Sequence, residues 1–235
     1  MDAGNPLDPS TTQALIVRWS GAGHTVGAAT GAFARLYSTP VSVLAGHEID
    51  MRLAVLSALP GRALVRELSL GRLPSHHSPR LVAFEAALPK PYVVLNIGAR
   101  TVEKRLSAET YAQIAEQMGD ATVLTYGPQE ESLAREVSRR VPRAQLAPPT
   151  SLADLVHVMS SAAAVVSCDT GPMHVAVAAR VPTCGIFVST DPARYGYSAP
   201  PHSVIDARED PPGAWLPRLV QWLAGLTRTG SRGKA

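Results

Sequence analysis

The segment SCDTGPMHVAVAARVP (167–182) carries the clearest chemical signal in the chain. Asp169, Thr170 and Gly171 stand where a predicted strand ends and a predicted helix begins, and His174 lies one turn into that helix. A helix N-terminus offers free N–H groups and partial positive charge, and glycine allows a close backbone approach, so this junction is suited to bind a diphosphate. We expect Asp169 to accept from sugar hydroxyls, because a carboxylate does not favour contact with phosphate. The alternative is that Asp169 or Thr170 only caps the helix.

A second cluster, NIGARTVEKR (96–105), also runs from a predicted strand into a loop. Gly98 permits a tight turn there, and Thr101 supplies a hydroxyl group. Arg100 and Lys104 supply cations for an anionic ligand. A surface loop that carries solvated charges is the alternative interpretation.

The third segment, YGPQEE (126–131), ends the following predicted strand. Its acids, Glu130 among them, are either helix N-terminal charges or acceptors for a ribose or a base. All three segments follow strands of one parallel sheet, so they are expected to meet at its carboxyl edge. Together they predict a site that holds a pyrophosphate by backbone amides and fixed cations. The chain has no Asp-x-Asp element for a divalent ion, so we expect no metal and no cofactor besides the bound nucleotide.

Strand and helix patterns alternate along the chain, which indicates an α/β fold of parallel sheets covered by helices. In the second half, the predicted strands are residues 92–97, 121–125, 163–167 and 183–188. The predicted helices there begin at Ser107, Pro128, Ser151, Gly171 and Trp215, the third with a capping box from Ser151 to Asp154.

The first half is smaller. Its predicted strands are residues 14–19 and 41–45, and its predicted helices are residues 25–37 and 49–59. The segment from Ser69 to Pro91, rich in Pro, His and Ser, is taken as the connection between two lobes. This pattern predicts an N-terminal lobe and linker at residues 1–88, a C-terminal lobe at residues 89–226 and a basic tail at residues 227–235.

The composition indicates a soluble cytoplasmic protein. Of 235 residues, 46% are hydrophobic and 17% are charged, no apolar run approaches a transmembrane length, and the start MDAGNPLDPSTTQ lacks a secretory pattern. The net charge of +3 is scattered and only 5% of the residues are aromatic, which argues against a nucleic-acid partner. Cys168 and Cys184, the two cysteines, are expected to be reduced and to bind no metal.

In combination, DTGPMH (169–174), GARTVEKR (98–105) and YGPQEE (126–131) resemble the heptosyltransferase-like glycosyltransferases of family nine. That resemblance covers about 130 residues. It implies the two-lobed GT-B fold and a C-terminal lobe that binds a nucleotide sugar, often ADP-heptose. It further implies that Lys104 lies near the diphosphate and that Asp169 contacts the sugar.

The segment LIVRWSGAGHTVGAATGAF (15–33) also resembles the opening strand and glycine loop of this family, where the loop reads Ser-x-x-Gly-Asp and the aspartate acts as the base. Here the loop ends in His24. A histidine just before a helix has its charged form disfavoured by the dipole, which keeps a neutral, proton-accepting imidazole near pH 7. We therefore expect His24 to be the base; an exposed loop histidine without a role is the alternative.

These residues predict a sugar transferase that works by direct displacement, with Lys104, Arg100 and the Gly171 helix terminus stabilising the departing diphosphate. A nucleotide-sugar sensor or partner protein without transfer activity is a second hypothesis. A third takes GAGHTVG (21–27) as a dinucleotide fingerprint and predicts an NAD(P)-dependent oxidoreductase, although the acid expected after the second strand is absent. A shortened first lobe would expose apolar surface, so we also expect a homo-oligomer.

Overall fold

The computed structural model describes residues 11–29, 31–61, 63–71 and 77–230. The chain forms two compact units, Met1–Glu67 and Leu68–Ala235. The segment predicted as a connection, from Ser69 to Pro91, contains a helix of the second unit at Pro79–Ala86. Of the predicted basic tail, residues 227–230 continue the last helix, and the remainder lies outside the described residues.

The first unit contains a small parallel sheet. Its elements are α1 (Thr11–Trp19), β1 (Val26–Ala28), a 3-10 turn (Gly31–Leu36), β2 (Thr39–Val41) and α2 (Glu48–Leu56). β1 and β2 pair in register from Val26 with Thr39 to Ala28 with Val41. Arg66 forms a bidentate ion pair with Asp50 of α2 at 2.7 and 3.3 Å.

The strand predicted at residues 14–19 is wrong, because this segment lies in helix α1. A short apolar run fits a helix as well as a strand, and periodicity alone does not separate the two. In the described part of this unit the sheet consists of β1 and β2, and residues 14–19 are not part of it.

The helix predicted at residues 25–37 is also wrong, because β1 and the 3-10 turn occupy this stretch. Gly27 lies in β1 against the ring of Tyr37, and a Cβ at position 27 would stand 2.3 Å from Tyr37 Cζ. Glycine is a poor helix former but suits such a close approach. The strand predicted at residues 41–45 ends instead at Val41, where its partner β1 ends.

The second unit is built on one parallel sheet. Its strands are β3 (Val93–Ile97), β4 (Thr122–Tyr126), β5 (Gln145–Leu146), β6 (Ala164–Cys168), β7 (Thr183–Phe187) and β8 (Ser203–Asp206). Its helices are α3 (Pro79–Ala86), α4 (Ala108–Met118), α5 (Glu131–Arg140), α6 (Leu152–Ser160), α7 (Gly171–Ala178), α8 (Pro192–Tyr195) and α9 (Pro212–Gly230). The strand order is β5-β4-β3-β6-β7-β8.

Helices cover both faces of this sheet, as the α/β prediction requires. Residues of α4, α5 and α9 form one core with Leu95 of β3, and residues of α3, α6 and α7 form a second core with Val94. Adjacent residues of β3 thus point to opposite faces and both are buried, which explains why four of its five residues are apolar.

Local capping signals predicted several helix starts in this unit correctly. Ser107 accepts from the backbone N–H of Thr110 at 3.1 Å and begins α4 as predicted. The capping box is confirmed, because Ser151 Oγ accepts from Asp154 N at 3.1 Å and Asp154 Oδ2 accepts from Ser151 N at 3.3 Å. The segment after Pro128 differs slightly: a 3-10 turn precedes α5.

Asp154 also connects α6 to the start of α3, and this connection predicts a pH-dependent stability. Its Oδ1 accepts from the backbone N–H of Ser78 at 2.9 Å, and this bond, with those from Ser151, holds the pKa of the carboxyl below its ordinary value. The stabilisation is therefore complete above the unfolded-state pKa of about 3.9 and is lost as the pH falls through the lower folded-state pKa. We expect Asp154→Asn to lower the free energy of unfolding by about 2 kcal/mol at pH 7.

Urea unfolding of wild type and Asp154→Asn between pH 7 and pH 3 measures this effect. The difference in free energy of unfolding between the two proteins should shrink as the pH approaches 3. Asp210→Asn, at an exposed position, is the matched control. A difference that stays constant over the whole range would contradict the role of the ionised Asp154 carboxylate.

Candidate functional site

The sheet order reverses direction between β3 and β6. From β3 the chain proceeds outward through β4 to β5, and it then returns to β6 and proceeds to β8 on the other side. In open α/β sheets of this kind, a crevice for ligands forms at the carboxyl ends of the two strands that flank the reversal. The loops after β3 and β6 therefore border the favoured binding position of this fold.

Buried polar side chains connect these two strands just below that edge. Asn96 of β3 donates from Nδ2 to Ser167 Oγ of β6 at 3.2 Å and to the carbonyl oxygen of Gly98 at 3.3 Å. Thr125 of β4 donates its hydroxyl to Asn96 Oδ1 at 3.2 Å. Because burial of unpaired polar atoms is costly, this network fixes the ends of three strands relative to each other.

Lys104 and Asp169 contact each other between the loops after β3 and β6, where the strand order reverses. Lys104 Nζ, at the end of a 3-10 turn (Val102–Lys104), donates to Asp169 Oδ2 at 2.8 Å. Asp169 is only 5% exposed, and Thr190 Oγ1 donates to the same oxygen at 2.7 Å. Gly171 begins α7 two residues after Asp169, so the lysine and the helix terminus lie on the same side of the molecule, as predicted.

The first residues of α7 do not form the side-chain cap that was the alternative interpretation. Thr170 occupies the N-cap position, but its side chain forms no capping hydrogen bond. Its hydroxyl instead lies 3.2 Å from Ser167 Oγ and 3.5 Å from Asn96 Nδ2. Gly171 is exposed, and a Cβ built on it meets nothing within 4 Å. Pro172 has no N–H, and the N–H of Met173 donates to the carbonyl oxygen of Thr170 at 3.0 Å. The helix terminus thus presents the backbone N–H of Gly171 to a position that side chains leave open.

The third predicted segment, residues 126–131, is connected to the site by Arg105, which the sequence analysis did not identify as a site residue. Arg105 Nε and Nη2 donate to the carbonyl oxygen of Ala99 at 3.0 and 2.8 Å, and Nη2 also donates to Glu130 Oε1. Glu130 is buried at 6% exposure, and Gly127 leaves room for its other oxygen. All three loops therefore converge, and the fixed Arg105–Glu130 pair holds the loops after β3 and β4 together.

The remaining predicted residues occupy different surroundings. Gly98 is buried directly after β3, whereas Arg100 and Thr101 are exposed in the loop that follows it. His174 belongs to α7, with Nε2 3.8 Å from Asp169 Oδ1 and Nδ1 2.7 Å from the hydroxyl oxygen of Tyr197. Tyr197, like Thr190, was missed because both lie in the connection between β7 and β8, outside its short helix α8 and without a recognisable motif.

His24 belongs to the first unit and is exposed there, with Nε2 3.4 Å from Thr39 Oγ1. The segment after it is strand β1, not a helix, so the argument that a helix dipole disfavours its charged form is wrong. The same finding removes the support for a dinucleotide fingerprint at residues 21–27. That motif requires a strand before its glycines and a helix after them, whereas α1 precedes this segment and β1 follows it.

The cysteines are free thiols, as predicted. Burial raises the pKa of Cys168 to about 11 and that of Cys184 to about 12, so both thiols stay protonated near neutral pH and neither is an activated nucleophile. Within the described residues, no three His, Cys, Asp or Glu side chains are grouped so as to hold a metal ion. Nor does any helix in those ranges have the length and apolar character needed to span a bilayer.

Comparison with solved structures supports the same architecture. The chain superimposes on a family 9 glycosyltransferase from Veillonella parvula with a TM-score of 0.61, at 23% identity over 85% of this chain and 60% of that one. Escherichia coli ADP-heptose lipopolysaccharide heptosyltransferase II gives a TM-score of 0.67, at 19% identity over 94% of this chain and 75% of that one. These likenesses confirm the α/β, GT-B-like fold.

Sequence comparison identifies the family. The chain is 33% identical to lipopolysaccharide heptosyltransferase 1 of Pseudomonas aeruginosa over 110 residues, which are 45% of this chain and 31% of that protein. The chain thus spans about a third of that relative and three fifths of the V. parvula structure. Residues 10–211 match the sequence profile described as glycosyltransferase family 9 (heptosyltransferase), and the chain therefore belongs to that family.

Proposed function

We propose that the second unit binds a nucleoside-diphosphate sugar at the carboxyl edge of its sheet, between β3 and β6. The observation that carries this proposal is the Lys104–Asp169 ion pair across the reversal of strand order, next to the open N-terminus of α7. A cation and a free backbone amide suit a diphosphate, and a buried carboxylate beside them suits sugar hydroxyls. Few other ligands carry both a diphosphate and sugar hydroxyls.

Each group then has a defined role. Lys104, the exposed Arg100 and the Gly171 amide at the start of α7 neutralise the diphosphate. Gly98 and Thr101 line the loop on the β3 side. Glu130 accepts from the ribose or the base by the carboxylate oxygen that Arg105 does not engage. Binding of the diphosphate draws Lys104 from Asp169, and that carboxylate then accepts from the sugar.

The reaction we propose is direct displacement. The acceptor's nucleophilic oxygen forms a bond to the anomeric carbon while the bond from that carbon to the diphosphate oxygen breaks. The departing nucleoside diphosphate carries the negative charge, which Lys104 and the Gly171 terminus of α7 stabilise without a metal ion or cofactor. His24 accepts the proton of the acceptor.

The name of the family makes heptose the first sugar to test, and the resemblance of the site segments makes ADP the first nucleotide. The proposal also includes cytoplasmic location, self-association and the absence of a nucleic-acid partner. A second candidate is a protein that binds the nucleotide sugar without transferring it. It is favoured by one observation: His24 stands where the acidic base of the family is expected.

Thermal denaturation with a panel of nucleoside diphosphates and nucleotide sugars tests the donor site. A ligand that binds only the folded protein should raise Tm by roughly 5–10 °C at about 100 times its Kd. NAD and NADP serve as controls and should give no shift. Absence of a shift with every diphosphate would refute the donor site, whereas binding without transfer over a broad acceptor screen would favour the second candidate.

A further inference from the structure

A hydrogen-bonded chain extends from Asp169 away from the cation that pairs with it. Lys104 and Thr190 both donate to Asp169 Oδ2, so that oxygen is fixed. The other oxygen, Oδ1, faces His174 Nε2 at 3.8 Å. On the far side of the imidazole, Nδ1 lies 2.7 Å from the hydroxyl oxygen of Tyr197, whose ring meets the imidazole edge-on at a centroid distance of 5.6 Å.

The carboxylate and the Tyr197 hydroxyl, one on each side of the ring, together favour one position for the proton of the neutral His174. Oδ1 can only accept hydrogen bonds, so a proton on Nε2 is favoured on the side that faces Asp169. Nδ1 is then an acceptor, and the Tyr197 hydroxyl is the donor that satisfies it. Tyr197 therefore favours the tautomer that presents an N–H group toward the Asp169 carboxylate.

The separation of 3.8 Å is too long for a direct hydrogen bond between the two side chains. A hydroxyl group that approaches both atoms from the side accepts from His174 Nε2–H and donates to Asp169 Oδ1. A phosphate oxygen does not fit this position, because it has no proton to donate and is repelled by the carboxylate. His174 and Asp169 therefore select a hydroxyl group. The sugar of a nucleotide sugar supplies one, whereas a free nucleoside diphosphate ends in a phosphate group and does not.

We propose that Tyr197 is a positioning residue that holds the proton of His174 on Nε2, so that His174 and Asp169 together bind one hydroxyl of the donor sugar. This inference rests on the proposed donor site and assigns its sugar selectivity. Tyr197 does not touch the sugar and acts through the imidazole. Thr190 contributes by keeping Asp169 Oδ2 engaged, which leaves Oδ1 directed at the hydroxyl.

Nitrogen NMR of histidine-labelled protein tests the tautomer without any ligand, because the chemical shifts separate protonated from unprotonated ring nitrogens. The His174 signals are assigned by their absence in His174→Gln. Near neutral pH the wild type should show the Nε2–H form, and Tyr197→Phe should lose this preference. Tyr195→Phe, which removes a nearby hydroxyl in α8, should not change the spectrum. An Nδ1–H form in the wild type, or an unchanged form in Tyr197→Phe, would overturn the inference.

Binding of ADP and ADP-heptose to the same variants tests selectivity. Tyr197→Phe should raise the Kd for ADP-heptose about tenfold and leave the Kd for ADP unchanged. Thr190→Val should act in the same direction, and Thr190→Ser, which keeps the hydroxyl, should restore wild-type values. An equal loss for both ligands, or none, would overturn the sugar role. If the wild type bound neither ligand, the proposed function would fail. The nitrogen NMR spectrum of His174 would still support or reject the positioning role of Tyr197.

Discussion

Lys104→Ala should reduce sugar transfer roughly 10²–10³-fold, because it removes the fixed cation that stabilises charge on the departing diphosphate. The same variant should bind nucleoside diphosphates more weakly. Lys104 Nζ is the side-chain cation that the structure places against Asp169, at 2.8 Å and beside the α7 terminus. Steady-state transfer assays and calorimetric titration with ADP measure the two effects.

The controls separate chemistry from folding. Lys90→Ala removes a lysine from an exposed position just before β3 and should behave as wild type. The melting temperature of Lys104→Ala without ligand shows whether Asp169, left with Thr190 as a partner, destabilises the unit. Transfer by His24→Ala belongs in the same assay, since full activity in both His24→Ala and Lys104→Ala would remove the displacement mechanism.

Arg105→Ala should lower the free energy of unfolding by about 3 kcal/mol, because it leaves a buried carboxylate without its cation. Arg105 and Glu130 are 17% and 8% exposed at their side chains. The same substitution removes both hydrogen bonds to the carbonyl oxygen of Ala99. Urea unfolding followed by circular dichroism measures the change.

Arg140→Ala is the matched control, since its partner Glu136 and the arginine itself are both more than two fifths exposed. Exposed pairs contribute little, so its unfolding midpoint should stay close to that of the wild type. Adding Glu130→Gln to Arg105→Ala should recover part of the lost stability, because the unpaired charge is then gone. Equal destabilisation by Arg105→Ala and Arg140→Ala would show that the buried pair has no special role.

The four central strands of the second unit and the helices α4, α5, α6, α7 and α9 were predictable from sequence because their signals are local, whereas β5, β8, α3 and α8 were not predicted. Ser107 and Ser151 cap helices through atoms only three residues away, and the strands of the central sheet are short apolar runs followed by loops. The first unit gave no comparable signal. Residues 14–19 are apolar enough for a strand or a helix, and only the structure shows that they belong to α1.

The chemical character of Asp169 and Lys104 was predictable from the sequence, because an acid before a helix glycine, together with cations after another strand, is typical of a site for an anionic ligand. Their contact, 65 residues apart along the chain, depends on the strand order, which places β3 beside β6. The contacts of Arg105 with Glu130 and of Tyr197 with His174 were likewise decided by the tertiary structure alone. Pairing of this kind arises from packing between distant segments, so no local pattern of residues records it.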